Sequence, residues 1–274
     1  MKQRSNKDHG QFHESDLYRQ LLLRRRAQPI GIISVLIKYA WFGLILIPAL
    51  AVQDMFFSMI AMTAVFFVPA IVSLAVLLWF LPTIFNRDME KGILPLIFVS
   101  PVPTSDIVSS LRLFYGYQSV KILFPFILIS ILFIFSEVLL GLPDNALQGL
   151  SEFLKFALVW WLLLESSIAA VSLSREIALS GVILVVFVVP VLLVVFFFGT
   201  WVADFLWRGF NCDDLVQAYI NSKWMLIHMN EFALATKMHS VVTNIFQGLF
   251  LLIPIWILYS GNPRLMQSRR AGRW

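Results

Sequence analysis

The sequence predicts an all-α polytopic membrane protein with six transmembrane helices. Three observations predict it: the composition, six long apolar runs and a one-sided placement of lysine and arginine. Of the 274 residues, 59% are hydrophobic, only 14% are charged and 25 are phenylalanine. A soluble fold of this length has no way to hide so much apolar surface. Six runs are long enough to cross about 30 Å of hydrocarbon as helices; they cover 30–52, 57–81, 113–140, 150–173, 177–200 and 241–260. None shows the alternation over about ten residues that a spanning barrel strand requires.

Lysine and arginine set the expected orientation. Seven lie before residue 30, from Lys2 to Arg26. Arg87, Lys91 and Arg112 lie between the second and third runs, Arg175 between the fourth and fifth, and Arg264, Arg269, Arg270 and Arg273 after the last. With six crossings all of these share one side. The other side has none in 53–56 or 141–149 and three in 201–240: Arg208, Lys223 and Lys237. The richer side is expected to be cytoplasmic, with both termini inside, in a cell membrane such as a bacterial inner membrane. No cleavable signal peptide is visible, because the polar start contains no short apolar core followed by a small-residue cleavage site.

The chain divides into a cytoplasmic segment 1–29, one six-span domain 30–260 and a basic tail 261–274. Within 1–29, Leu17, Tyr18, Leu21 and Leu22 fall on one side of a helix that ends in Arg24-Arg25-Arg26. That pattern predicts an N-terminal interfacial helix; a solvated positive flank is the plainer alternative. The outer region 201–240 is too long for a turn. It holds Trp201, Trp207 and Trp224 among intermittent apolar groups, which predicts short helices seated at the outer interface.

Several chemistries have no sequence support. There is no phosphate-binding G-x-x-x-x-G-K-[ST] loop, so nucleotide hydrolysis is not expected on this chain. Cys212 is the one cysteine, which excludes an internal disulfide and a cysteine metal cage. His9, His13, His228 and His239 lie outside the spans, and no metal site is expected. Ser166 and Ser167 follow Glu165 with no histidine or lysine close in sequence; they read as small groups for helix packing. No catalytic set is identified. The basic balance does not point to nucleic acid, since no basic patch interleaves with a soluble surface.

Three of the charges inside the apolar runs lie deep from the inner side: Lys38, Lys121 and Glu165. At about 1.5 Å per residue, each sits roughly 12–15 Å from the inner side. Unpaired charge at that depth is costly, so these residues are expected to face the bundle interior. Glu165 is expected to pair with Lys121 or Lys38 in an intramembrane polar layer near an inner gate. In the alternative, the lysines snorkel to the inner interface, and Glu165 is neutral or bonded to a serine.

The cytoplasmic segment 82–112 is the most informative. It contains MEKGILPLIFVSPVPTSDIV, which places Glu90, Lys91 and Gly92 before an apolar run, then Ser100-Pro101, Thr104-Ser105, Asp106, Ile107 and Val108. This order resembles the first cytoplasmic loop of type-2 ABC exporter permeases. The loop's position between the second and third spans is similar too, as are the cytoplasmic termini and the helical excursion before the last span. Pro95 stands where that family often has an acid, and Ser110-Leu111 where it often has Gly-Lys. Pro95 should shorten or kink a helix there.

The resemblance implies a coupling helix that lies in a groove of a separate ABC ATPase subunit. Glu90, Lys91, Gly92, Pro101 and Asp106 are then the ATPase-coupling residues. Their chemistry suits the role. Gly92 permits close backbone approach, Pro101 and Pro103 fix the helix exit, and Thr104 or Ser105 can cap the next helix with Asp106 near its positive end. The alternative for this segment is a re-entrant interfacial loop with no partner. The expected function is the permease subunit of an exporter, paired with a second permease chain of the same or different sequence. ATP and Mg would reside on the partner ATPase, with no cofactor on this chain. The rival readings are a membrane-anchored enzyme and a membrane subunit that uses ATPase motion to act on another protein.

Overall fold

The computed structural model describes residues 99, 102–139, 143–173, 177–212, 214 and 231–271. The expected N-terminal helix, the first two spans and most of segment 82–112 lie outside the described residues. Those described form four long helices: α1 (Thr104–Leu139), α2 (Pro143–Leu173), α3 (Ile177–Gly209) and α4 (Glu231–Arg270). Three helical stretches, Asn145–Leu173, Val182–Gly209 and Lys237–Ser268, are long and apolar enough to cross a membrane.

α2 is the centre of the bundle. It packs on α1, α3 and most extensively on α4, and 72% of its most apolar stretch is buried, against 22% for α3 and 33% for α4. From Leu162 to Ser172 every residue of α2 is buried. Within lipid, apolar burial does not drive helices together, so close packing and hydrogen bonds must. Ser166, Ser167, Ala169, Ala170 and Ser172 provide the small surface for that approach. Ser167 and Ser172 donate back to the carbonyls of Leu163 (2.6 Å) and Ile168 (2.8 Å), so their hydroxyls enter the core satisfied.

α3 shows the opposite pattern. Val182, Val186, Val189, Leu193, Phe197 and Trp201 form an exposed apolar stripe at helical spacing. In water such a face would be a costly patch; against hydrocarbon it is neutral. The described residues form a helical bundle of a membrane protein, with α2 inside and α3 and α4 presenting apolar faces outward.

Cross-helix contacts set the directions. Arg112 meets Glu165 and Ser119 meets Trp160, so α1 and α2 are antiparallel. Ser151 meets Asn244 and Glu165 meets Asn262, so α2 and α4 are parallel. Asp204 meets His239 and Thr200 meets Gln247, so α3 is antiparallel to α4. One end of the bundle thus gathers the starts of α2 and α4 with the end of α3. By the charge distribution that end is expected to face outside. Cys212, a free thiol just past α3, is therefore expected to react with an impermeant maleimide in intact cells. Reaction only after lysis would reverse the orientation.

The helices overrun the expected spans. α1 begins nine residues before 113, and α4 extends ten residues beyond 260. Of the expected short helices in 201–240, Cys212 and Asp214 are helical past the turn that ends α3, and most of the rest lies outside the described residues, but 201–209 and 231–240 form no separate short helices. These residues belong to α3 and α4, because no breaker interrupts WVADFLWRG. α3 stops where Asn211 turns to a left-handed φ of 46°, a conformation asparagine tolerates.

Candidate functional site

Sequence and packing meet at Glu165. Its side chain is fully buried, and that of its partner Arg112 is 15% exposed. Arg112 Nε donates to Glu165 Oε1 at 2.7 Å and Nη2 donates to Oε2 at 3.0 Å. This forked geometry is the strong form of the pair. Trp161 Nε1 donates to Oε1 at 3.2 Å, and Asn262 Nδ2 donates to Oε2 at 2.7 Å. Both carboxylate oxygens therefore hold two donors each, which is what a buried carboxylate needs to offset lost hydration.

The cluster joins three helices at one level. Arg112 lies eight residues after Thr104, Glu165 eight before Leu173 and Asn262 eight before Arg270. Each is about 12 Å from the same end of the bundle.

A proline explains why Arg112 also grips α4. Pro263 lies inside α4 and has no N–H to donate to the carbonyl four residues earlier, that of Tyr259. Arg112 Nη2 donates to this oxygen at 2.8 Å. The guanidinium carbon also sits 3.7 Å from the centre of the Tyr259 ring, a cation–π contact, and Trp161 meets that ring edge-on at 6.4 Å. Asn262 adds a bond from Nδ2 to the Glu165 carbonyl at 3.1 Å. Its Oδ1 and the Ser166 hydroxyl are buried with no partner among the described residues.

Among the described residues the ion-pair partner of Glu165 is Arg112, which was not one of the two expected. Lys38 and the side chain of Lys121 lie outside the described residues. The antiparallel register of α1 and α2 brings Arg112 level with Glu165. It sets the Lys121 backbone level with residues 156–158 of α2, about 12 Å from Glu165. Arg112, assigned by charge alone to the cytoplasmic flank, is two turns inside α1.

Of the expected coupling residues, Glu90, Lys91, Gly92 and Pro101 lie outside the described residues. Asp106 sits in the first turn of α1, where its charge favours the helix start. Ser105 Oγ donates to Asp106 Oδ1 at 3.1 Å. The first helical bond runs from Ile107 N to the Pro103 carbonyl at 3.1 Å, which makes Pro103 the residue at the cap position. Ile107 and Val108 are fully buried in the core.

A second polar cluster, which no motif announces, joins α2 to α4 toward the other end. Lys155 Nζ lies 2.6 Å from Asn244 Oδ1 and 2.8 Å from Glu152 Oε2. Asn244 Nδ2 donates to Ser151 Oγ at 3.0 Å and to Glu152 Oε1 at 2.8 Å. Lys237 Nζ donates to Asn145 Oδ1 nearby. Both Nδ2 donors and the Oδ1 of Asn244 are thus engaged by one face of α2. The spacing of Ser151, Glu152 and Lys155 on one helix face was the available signal. Among the described residues no group of three or more His, Cys, Asp or Glu is placed to hold a metal. The arrangement is suited to holding helices in register. Comparison with known proteins finds no match: no family model, curated protein or solved structure is similar to the chain.

Proposed function

We propose that this chain is the permease subunit of an ATP-driven exporter, coupled through segment 82–112 to a separate ATPase subunit and paired with a second permease chain. One observation supports this above others. The permease-like motif ends in Asp106, Ile107 and Val108, and these are among the first residues of α1, the helix that carries Arg112. Ile107 and Val108 are wedged in the core, and Arg112 is bonded to α2 and α4. A push on the cytoplasmic segment would therefore reach three helices through one rigid element. ATP and Mg belong to the partner in this reading; this chain provides the path and the lever.

The test is affinity purification of the chain from its native membrane, followed by ATPase assay in liposomes. An ATPase subunit is expected to copurify, and candidate amphiphilic substrates should stimulate it. Gly92→Val and Glu90→Ala should each reduce association or transport at least several-fold while the protein still inserts. Normal association and transport in both variants would refute the coupling role. An associated ATPase that no substrate stimulates would favour action on another protein instead.

A further inference from the structure

α4 is gripped at two levels with a proline between them. At the upper level, α3 and α4 touch backbone to backbone. A Cβ on Gly199 would lie 2.6 Å from Gln247 Cγ and 2.9 Å from Gln247 Cα and N. On the opposite side, a Cβ on Gly248 would lie 3.3 Å from Leu158 Cδ1 of α2. Gln247 Nε2 donates to Thr200 Oγ1 at 3.1 Å, and Asn244, one turn earlier, is tied to α2 through Ser151, Glu152 and Lys155. Residues 244–248 are thus clamped from both sides. At the lower level, Tyr259 and Asn262 are held by Arg112 and Glu165.

Pro254 lies between the clamps, seven residues after Gln247 and five before Tyr259. It deprives the Phe250 carbonyl of its helical donor and leaves the helix free to bend there. The lower grip also leaves polar capacity unused. Asn262 Oδ1 and Ser166 Oγ are buried without partners among the described residues, a cost that a second arrangement of the same side chains could remove.

We propose that α4 works as two arms hinged at Pro254: an outer arm fixed by the Gly199–Gln247 crossing and the Asn244 cluster, and an inner arm that follows α1 through Arg112. The inner arm from Pro254 to Gln267 is about 20 Å long. A change of roughly 20° at the proline carries its end by about 7 Å, while the outer arm stays in place. That ATPase movement drives α1 rests on the exporter reading; the hinge itself does not.

The experiment uses the full chain in nanodiscs with Cys212→Ser, spin-labelled in pairs at exposed positions. Labels at Val182 and Gln267 read the inner ends of α3 and α4, and labels at Phe205 and Ile245 read the outer ends. Arg112→Gln is expected to broaden or shift the inner distance by about 7 Å and leave the outer one unchanged. Adding Pro254→Ala should return the inner distribution to a narrow one. Equal movement of both pairs would overturn the hinge, as would broadening that persists in Pro254→Ala. Should Arg112→Gln fail to fold, Arg112→Lys keeps the charge, loses the fork and should give the same pattern at smaller amplitude; an unmoved inner pair in Arg112→Lys would then overturn the hinge. No ATPase enters these measurements. A chain that hinges but binds no ATPase refutes the exporter reading alone, and one that binds ATPase but moves as one body refutes the hinge alone.

Discussion

Replacing Arg112 with leucine is expected to destabilise the bundle by about 3 kcal/mol, the lower end for breaking a buried ion pair. The lower end applies because Arg112 keeps 15% exposure. The loss has three parts. Glu165 keeps Trp161 and Asn262 as donors but loses its only ion-pair partner among the described residues. The Tyr259 carbonyl, already deprived by Pro263, loses its replacement donor. The Tyr259 ring loses the guanidinium over its face. Heating the detergent-solubilised protein and measuring the monodisperse fraction should show a midpoint lower by roughly 10 °C.

The double variant Arg112→Leu/Glu165→Leu separates charge from packing. Exchanging a buried ion pair for apolar groups of similar volume is often neutral or better, so most of the stability should return. A deficit of about 1–2 kcal/mol should remain, because the Tyr259 carbonyl lacks a donor and the Asn262 amide has lost the carboxylate. The double variant is also the cleaner functional probe, being stable yet without the bond between α1 and α4. Under the exporter reading it should bind ATPase and transport poorly. Full transport by a stable double variant would show that the pair serves folding only. Arg112→Lys should fall between, since one ammonium cannot supply a planar fork and stack on the ring as well.

The helical, membrane-embedded character of the described residues was legible because lipid imposes a simple rule. Helices that meet hydrocarbon must be long and apolar, and 150–173, 177–200 and 241–260 all lie within the helices found. Glu165 was legible for the same reason, as a charge with no water to hydrate it. Its partner was not. Arg112 closes a run of positive residues beside a span, and a pattern read along one dimension cannot tell a solvated flank from a residue two turns inside a helix. Cross-helix register decides that, and register depends on which faces meet.

The lower half of the site was hidden by its own helix signals. Gly261-Asn262-Pro263 spells a helix end, and the last span was expected to close at 260. The helix continues to Arg270 because the two liabilities are met from outside it. Arg112 supplies the donor that Pro263 cannot, and the Asn262 amide is occupied by Glu165 instead of the local backbone. Tertiary contacts overrode a local stop, and those contacts are the candidate site.

Adding a single methyl group at Gly199 is expected to cost about 1–3 kcal/mol, the usual range for overpacking, and Gly199→Leu should cost more. Glycine in a helix interior is otherwise a weakness of up to about 1 kcal/mol relative to alanine, so the sign of the effect is informative. Gly261 provides the contrast. It lies inside α4, where an added Cβ would meet nothing within 4 Å, and Gly261→Ala should be neutral or stabilising. At Gly199 the obstacle is Gln247, and the contact involves its Cα and N as well as its Cγ. Gln247→Ala removes the Cγ contact but leaves the backbone pair at 2.9 Å. It should therefore fail to rescue Gly199→Ala, and it also removes the bond to Thr200. Full rescue would mean that a side chain blocks the site and that α3 and α4 are not in backbone contact. Melting measurements on Gly199→Ala, Gln247→Ala, their double variant and Gly261→Ala decide between these outcomes. A helix crossing with no room for a methyl group cannot slide without separating, and this crossing is what would hold the outer arm of α4 in place in the proposed hinge.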